Sequence, residues 1–182
     1  MSQEHILTTP IGAITIVQAQ SSDLAVITEI LEETALWIES LDIDQWRPGY
    51  FLGTSSQLRM AQNISDGEAY LVLYEEQVIG TITVQAGSAI DEELWGNETL
   101  KDALYVHRLA LRRAFARKGI GYMLLHWAEG LATHAGKTYL RLDCMADNAA
   151  LCTYYERDGF ICRGIIGENW KSSIYEKSVS FR

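Results

Sequence analysis

Strand-like and helix-like segments alternate through the second half of this chain, and this alternation limits its fold more than any other feature. The strand-like runs are rich in β-branched and apolar residues and lie at 103–111, 138–144, 160–166 and 173–181. Residues 119–134 and 148–158 instead place apolar side chains at helical spacing. The order predicts a mixed α/β fold rather than an all-helical or all-strand one.

The first half of the chain adds shorter elements. The predicted elements are a strand at 14–17, a helix that begins near Ser22 and Asp23, a shorter helix at 54–63, and a hairpin of strands at 69–74 and 78–84. The stretch 87–102 is less regular. With 182 residues, two prolines and no linker-like tract, the chain is predicted to form one domain over residues 1–182.

The charge balance argues against one broad class of partner. Lys and Arg number 15 and Asp and Glu number 24, which gives a formal net charge of -9. A protein that binds nucleic acid generally needs a basic face, so we expect no nucleic-acid partner. The balance allows a cationic substrate but does not identify one.

Cysteine usage and hydropathy favour a reducing compartment. The three cysteines, with no Cys-x-x-Cys pair, predict neither a disulfide framework nor a bound metal. No run approaches the roughly 18 apolar residues that cross a bilayer, so we expect no membrane association. The N-terminus has no Lys or Arg before its weak apolar stretch and does not resemble a signal peptide. A cytoplasmic location is therefore the expectation.

The segment at 105–122 carries the clearest sign of ligand binding. Gly119 and Gly121 lie where a strand has ended and a strongly periodic helix begins. Helix N-termini carry unpaired amides and a partial positive charge, and glycines let a phosphate approach the backbone closely. Basic residues are concentrated just before this helix, at Arg112, Arg113, Arg117 and Lys118. A simple turn with a solvated basic loop is the alternative, but a polyanionic ligand fits this local reversal of charge.

Two segments together resemble the GNAT superfamily of N-acetyltransferases. Residues 109–125, LALRRAFARKGIGYMLL, resemble the superfamily's acetyl-CoA-binding motif. Residues 148–160, NAALCTYYERDGF, resemble its second motif, with Asn, Tyr and Gly-Phe at the expected spacing. The motifs occur in the family's order and at about its usual separation. The resemblance implies a single-domain α/β fold with a mostly antiparallel central sheet and about four flanking helices.

The resemblance also implies a function and a coenzyme site. Members transfer an acetyl group from acetyl-CoA to a primary amine, without a metal, by direct attack in a ternary complex. The coenzyme would contact the backbone of Leu109, Ala110, Leu111, Arg117, Lys118, Gly119, Ile120, Gly121 and Tyr122, with a further contact from Asn148. From its own chemistry, Asn148 is expected to cap its helix, and the coenzyme contact is implied by the resemblance alone. The family's Gln or Arg falls on Ala116 here, so Arg112 or Arg117 would have to replace that side chain.

Two residues are candidates for proton transfer. By resemblance, Tyr155 is the acid that protonates the leaving thiolate, and its alternative is a core tyrosine. His107 lies in the strand before the glycine loop and is the candidate base, because histidine titrates near neutral pH. A histidine that only makes a hydrogen bond within the sheet is the alternative.

The acceptor is not identified by the residues. By resemblance, the acceptor side is formed by 42–52 and 164–172, where Trp46, Tyr50 and Trp170 could line a pocket or simply pack. Acidic residues that could attract an amine, or form a solvated face, are Glu33, Glu39, Asp42 and Asp44. A small-molecule or peptide amine is expected, and homodimers are common in this superfamily. A non-catalytic acyl-CoA-binding regulatory domain and a protein N-terminal or lysine acetyltransferase are the alternative functions.

Overall fold

Eight strands and five α-helices lie within residues 4–168 and 170–179, which are the residues that the computed structural model describes. The strands are β1 His5–Thr9, β2 Gly12–Gln18, β3 Ala69–Tyr74, β4 Gln77–Gln85, β5 Ala103–Leu111, β6 Tyr139–Met145, β7 Ile161–Ile166 and β8 Ser172–Ser178. The helices are α1 Leu24–Glu39, α2 Thr54–Ser65, α3 Ala89–Trp95, α4 Ile120–His134 and α5 Ala149–Arg157.

Contacts group the described residues into two units. The first unit takes in the chain up to residue 42, then 46–83 and 108–124. The second takes in 43–45, 84–107 and the chain from residue 125 onward. The single-domain organisation over 1–182 stays a prediction.

In the first unit, β1 to β4 pair antiparallel in chain order. Helix α1 buries Ile27, Ile30, Leu31, Ala35 and Ile38 at helical spacing, which gives the helix one buried apolar stripe. All of these except Ile38 meet Phe51, Met60 and Ile64 together with strand residues in one apolar core. The core fixes α1 and α2 relative to the strands of this unit.

In the second unit, β6 pairs parallel with Ala103–Tyr105 of β5 and antiparallel with β8, which also pairs antiparallel with β7. A cluster of aromatic rings packs beneath these strands. Tyr155 from α5 lies with its ring centroid 6.0 Å from that of Phe160 and 5.8 Å from that of Tyr175. This packing anchors α5 in a defined orientation.

The predicted fold class is confirmed: the chain is a mixed α/β protein whose described strand pairs are mostly antiparallel. Two elements were not predicted, namely β1 and α3, and α3 raises the helix count above the expected four. Helix α3 has seven residues, too few to show a helical stripe, but Ser88 and Asp91 form a capping box at its start. The last predicted strand, 173–181, is observed as β8, and residues 180 and 181 lie outside the described residues.

Among the described residues, no helix has both the length and the apolar composition needed to cross a membrane.

Candidate functional site

Helix α4 begins at a tight turn with two left-handed residues. Arg117 has φ 61° and Gly119 has φ 78°, and the helix starts at the next residue, Ile120. A glycine adopts this conformation without the steric cost of a Cβ, whereas Arg117 adopts it under strain. The first turn of such a helix presents amides that no carbonyl of the same helix can accept from. The turn therefore presents the amides of a helix start, and the coenzyme contacts of Lys118, Gly119, Ile120, Gly121 and Tyr122 stay predictions.

Carboxylates of α1 bind the guanidinium of Arg112 and the backbone amide of Arg113. The Arg112 Nη1 donates to Glu29 at 2.9 Å and to Glu33 at 3.1 Å, and its Nε donates to the carbonyl of Val78 at 3.0 Å. The backbone amide of Arg113 donates to Glu33 at 2.8 Å. Two of the four predicted basic residues thus attach the loop to α1, so Arg112 is a poor substitute for the side chain missing at Ala116.

The remaining basic residues of the loop face solvent. Arg117 and Lys118 are both exposed. The Lys118 Nζ lies 5.7 Å from the ring centroid of Phe115, which keeps it beside the turn. Arg117 is therefore the better placed substitute for the family side chain that Ala116 lacks.

The strand segment Leu109, Ala110 and Leu111 lies unusually close to β4. A Cβ added to Gly80 would lie 2.6 Å from Leu111 Cδ2 and 2.7 Å from the Ala110 carbonyl oxygen. The backbone oxygen cannot move aside cheaply, so only glycine fits at this position. The segment predicted to contact the coenzyme by its backbone is thus held at a fixed distance from its neighbour.

His107 is paired with a buried carboxylate that the sequence analysis missed. Its Nε2 lies 3.0 Å from Asp91 Oδ1 and 3.2 Å from Oδ2. Asp91 is 1% exposed, whereas the His107 side chain is 18% exposed. A carboxylate that accepts a hydrogen bond from Nε2–H leaves the lone pair of the imidazole on Nδ1. The pairing orients the ring of His107, and its role as a base stays a prediction.

Asp91 is held by three further donors. The backbone amide and the Oγ of Ser88 donate to Oδ2 at 2.8 and 2.7 Å, and the Nε2 of Gln85 donates to it at 3.2 Å. Burial alone would raise the pKa of Asp91, but hydrogen bonds from His107, Ser88 and Gln85, with the charge of His107, outweigh it. The pKa of Asp91 is therefore lowered, and the group is a carboxylate at neutral pH.

A second missed carboxyl, Asp143 of β6, lies in the same electrostatic cluster. Burial raises its pKa and nearby Asp91 raises it further, whereas His107 and a hydrogen bond with Ser172 lower it. An aspartate within an apolar strand was a readable signal, because aspartate is depleted in strands. Asp91 also had a signal, the Ser-x-x-Asp capping box.

Tyr155 occupies the position expected of it on α5. The residue is 8% exposed and lies in the aromatic cluster with Phe160 and Tyr175. Burial raises the pKa of its phenol well above 10. The phenol is therefore protonated at neutral pH, as a proton donor must be, and the same burial fits a core residue.

Asn148 caps α5, as one of its two predicted roles required. Its Oδ1 accepts from the Leu151 amide at 3.1 Å, and its Nδ2 donates to Gln45 Oε1 at 3.1 Å. Gln45 also accepts from the Met145 amide at 3.3 Å. The side chain of Asn148 is thus engaged in structure, and its contact with the coenzyme stays a prediction.

His126, Glu129 and Asp158 approach one another closely enough to suggest a metal site. Lys177 already lies among them, with its Nζ 2.6 Å from Glu129 Oε1 and 3.2 Å from Asp158 Oδ2. The single positive charge of the lysine offsets one of the two carboxylate charges, and His126 Nε2 lies 3.1 Å from Asp158 Oδ1. We read the group as an ion-pair network.

The predicted acceptor-side aromatics divide into packed and exposed residues. Trp46 packs against the core of the first unit, with its ring centroid 5.2 Å from that of Phe51. Tyr50 and Trp170 are each 49% exposed. Tyr50 and Trp170 are therefore the better candidates for contact with a ligand.

The acidic residues of α1 are largely committed to other groups. Glu32 accepts from the backbone amides of Gly49 and Phe51, at 2.7 and 2.8 Å. Glu29 and Glu33 hold Arg112, as described above. A groove of about 710 Å³ runs beside Glu29 and Glu32 and is flanked by Leu36 and Leu52. Its carboxylates leave little unpaired negative charge for a cationic ligand, although Glu39, Asp42 and Asp44 are exposed.

Comparison with known proteins places this geometry in a family. The acetyltransferase (GNAT) family model matches residues 33–160. The chain is 31% identical over 159 residues to YesJ, an uncharacterized N-acetyltransferase of Bacillus subtilis (strain 168), and the match covers 87% of this chain and 86% of YesJ.

Solved structures agree with that result. A GNAT-family acetyltransferase from Listeria monocytogenes 4b F2365 has a TM-score of 0.80 at 26% identity, covering 96% of this chain and 99% of that one. The PaiA N-acetyltransferase of Thermoplasma acidophilum, solved with coenzyme A, has a TM-score of 0.70 at 19% identity, covering 91% and 98%. The resemblance carried by residues 109–125 and 148–160 is confirmed, and with it the prediction of a GNAT-type N-acetyltransferase: the chain belongs to the acetyltransferase (GNAT) family.

Proposed function

We propose that this protein transfers the acetyl group of acetyl-CoA to the primary amine of an acceptor by direct attack in a ternary complex. The observation that carries the proposal is the pairing of His107 with the buried carboxylate of Asp91. It supplies an oriented base in the strand that leads to the coenzyme-binding loop. Family membership and the coenzyme A bound by the PaiA enzyme support acetyl-CoA as the donor.

The coenzyme is bound mainly by backbone. Its pyrophosphate accepts hydrogen bonds from the amides of the turn at Arg117–Gly119 and of the first turn of α4. Its pantetheine arm and thioester carbonyl lie along the backbone of Leu109, Ala110 and Leu111, and an amide of that segment stabilises the oxyanion. The exposed guanidinium of Arg117 adds a charge near the pyrophosphate.

The base acts on the ammonium group of the acceptor. An alkylammonium is mostly protonated at neutral pH and cannot attack a carbonyl. Nδ1 of His107 takes one proton from it, directly or through water, while Asp91 holds Nε2–H and fixes the orientation of the ring. The lone pair of the amine is then available for attack.

Bond formation and cleavage follow with two proton movements. The amine nitrogen attacks the thioester carbon, and the C–N bond forms as the negative charge moves to the oxygen. The C–S bond then breaks and the thiolate takes a proton from the phenol of Tyr155. The second proton of the former amine restores the phenol, so the products are the amide, coenzyme A and one proton held by His107.

A thiol-release assay with acetyl-CoA and a panel of amines, amino acids, polyamines and peptides tests the proposal. We expect transfer to at least one acceptor, confirmed by mass spectrometry of the acetylated product. His107→Ala should abolish the ascending limb of the pH–rate profile, whereas His134→Ala, at the exposed end of α4, should not. An unaltered limb in His107→Ala would show that the base lies elsewhere.

The same assay separates the alternative functions. Binding of acetyl-CoA by calorimetry without transfer to any acceptor would favour a regulatory acyl-CoA-binding domain. Transfer to peptides alone would favour a protein acetyltransferase. The cytoplasmic location and the homodimer stay predictions.

A further inference from the structure

Arg108 has a backbone conformation that the rest of β5 does not share. Its φ is 48°, in the left-handed region, whereas its strand neighbours are extended. A side chain with a Cβ adopts this conformation under strain, and such strain persists where the surrounding structure enforces it, often at functional sites. The outlier comes directly after His107 in the chain.

The guanidinium of Arg108 is largely withdrawn from water without a carboxylate partner. Its Nη1 donates to Asn63 Oδ1 at 2.8 Å. Within residues 4–168 and 170–179, that is the one hydrogen bond of the guanidinium, and it forms no ion pair with a carboxylate there. A guanidinium has five N–H donors, so most of its capacity is unused. Burial, then the charge of Arg59, lowers the pKa of Arg108.

Asn63 separates Arg108 from an acid that could have neutralised it. The Nδ2 of Asn63 donates to Glu68 Oε2 at 2.8 Å, while its Oδ1 accepts from Arg108. The amide of Asn63 therefore occupies the Glu68 carboxylate with its own hydrogen bond, and its oxygen orients the guanidinium of Arg108. A buried charge left in this way is costly unless an anion pairs with it.

A second arginine lies beside the first. Arg59 of α2 is exposed, and its Nη2 donates to the hydroxyl of Tyr50 at 3.1 Å. It is near enough to Arg108 for the two charges to repel each other. Two guanidinium groups and a phenol converge here, in a chain whose formal net charge is -9. Planar guanidinium groups bind carboxylates by paired hydrogen bonds.

We propose that Arg108 and Arg59 bind the carboxylate of the acceptor, so that the protein acetylates amino acids or similar amines that carry a carboxylate. This rests on the proposed function, because the acceptor is the substrate of that reaction. The carboxylate accepts hydrogen bonds from the unused N–H groups of Arg108, and the exposed guanidinium of Arg59 binds it from the solvent side. The protein then recognises the acceptor by its carboxylate rather than by the positive charge of its amine.

The first test compares matched acceptors. Each amino acid is assayed beside its primary amide and its decarboxylated amine, with wild type, Arg108→Gln and Arg59→Gln. We expect the free acids to be the better acceptors of wild type and to lose about 10- to 100-fold in kcat/KM in either variant. The amides should change little. Lys101→Gln, at an exposed lysine, serves as the control and should match wild type.

A second test does not depend on catalysis. Arginine side-chain NMR signals are followed during titration with N-acetylglycine, which carries a carboxylate and no amine, and with N-acetylglycinamide. The signals of Arg108 and Arg59 are assigned by their absence from the spectra of Arg108→Gln and Arg59→Gln. In the wild type these signals should shift with N-acetylglycine and not with N-acetylglycinamide. If no amine is acetylated but these shifts occur, the proposed reaction fails and the carboxylate site stands.

Three results would overturn the inference. One is a preference of the wild type for acceptors without a carboxylate. Another is unchanged kinetics with free acids in Arg59→Gln, a substitution at an exposed residue that leaves the core intact. The third is a loss of acetyl-CoA affinity in the arginine variants, because the anion would then belong to the coenzyme.

Discussion

Replacing Asp91 with asparagine keeps the size of the side chain and changes what His107 can do. In the wild type, Oδ2 of Asp91 accepts from the Ser88 amide, the Ser88 hydroxyl and Gln85, while Oδ1 lies 3.0 Å from His107 Nε2. The single oxygen of asparagine is needed at the Oδ2 position, where the three donors converge. Its NH₂ group must then face the Nε2 of His107.

Two donors cannot face each other at that distance, so the imidazole of Asp91→Asn must accept at Nε2 and carry its proton on Nδ1. The nitrogen that serves as the base would be blocked. General base catalysis supplies about 10²- to 10⁴-fold in rate, so we expect kcat to fall within that range. Loss of the charge should also make imidazolium less favourable and move the ascending limb of the pH–rate profile to lower pH.

The stability cost of the same change is modest. Asparagine keeps the hydrogen bonds at the Oδ2 position but makes them neutral, which weakens bonds that were assisted by the charge. We expect the free energy of unfolding to fall by roughly 1–3 kcal/mol at neutral pH. That loss should fade below about pH 4, because a carboxylate with a lowered pKa stabilises the fold only above its unfolded-state pKa.

The assay combines thiol-release kinetics with ¹⁵N NMR of labelled histidine. Wild type should show His107 protonated on Nε2 when neutral, and Asp91→Asn should show it protonated on Nδ1. Asp102→Asn, at an exposed aspartate, should leave both readouts unchanged. A wild-type His107 protonated on Nδ1, or an Asp91→Asn variant with normal turnover, would refute the reasoning.

Three further predictions concern the acid, the coenzyme and the second buried carboxyl. Tyr155→Phe should lower kcat by about 10²-fold or more with little change in acetyl-CoA affinity, whereas Tyr154→Phe should keep most activity; equal turnover in both would remove Tyr155 from the mechanism. Gly121→Trp should abolish acetyl-CoA binding in calorimetry, and Gly130→Trp, on the same helix with open space around its Cβ, should retain it. Asp143→Asn should raise the melting temperature at neutral pH and leave it unchanged below about pH 4. The folded-state pKa of Asp143 is raised, so the wild type loses stability as the pH rises through that pKa and asparagine does not. A higher melting temperature of the variant at acid pH alone would contradict this.

The length of an element decided how well the sequence predicted it. Helices α1 and α4 have 16 and 15 residues, enough to repeat an apolar stripe several times. Helix α3 has seven residues and an acidic start, so its capping box was the one local signal. Gly119 and Gly121 at the start of α4 were readable because their strand-to-helix context is local as well.

The partners of the candidate residues could not be predicted in the same way. His107 and Asp91 are 16 positions apart, and their contact depends on where α3 lies against β5. Arg112 and Glu29 are 83 positions apart, so no spacing rule connects them. Local patterns predict which residues share an element, whereas such pairs are set by tertiary packing.

The net charge of the chain does not predict where its unpaired charges lie, because tertiary packing decides which charged groups form pairs. An excess of acids over bases allows a cationic acceptor, yet the acids Glu29, Glu32 and Glu33 of α1 are bound by an arginine and by backbone amides. Arg108 instead lies in the same acidic chain with one amide partner and a second arginine nearby. A substrate interacts with charged side chains that have no ion-pair partner in the fold, and the net charge of the chain does not identify these side chains. The proposed specificity for a carboxylate therefore rests on the position of Arg108 and not on the sign of the net charge.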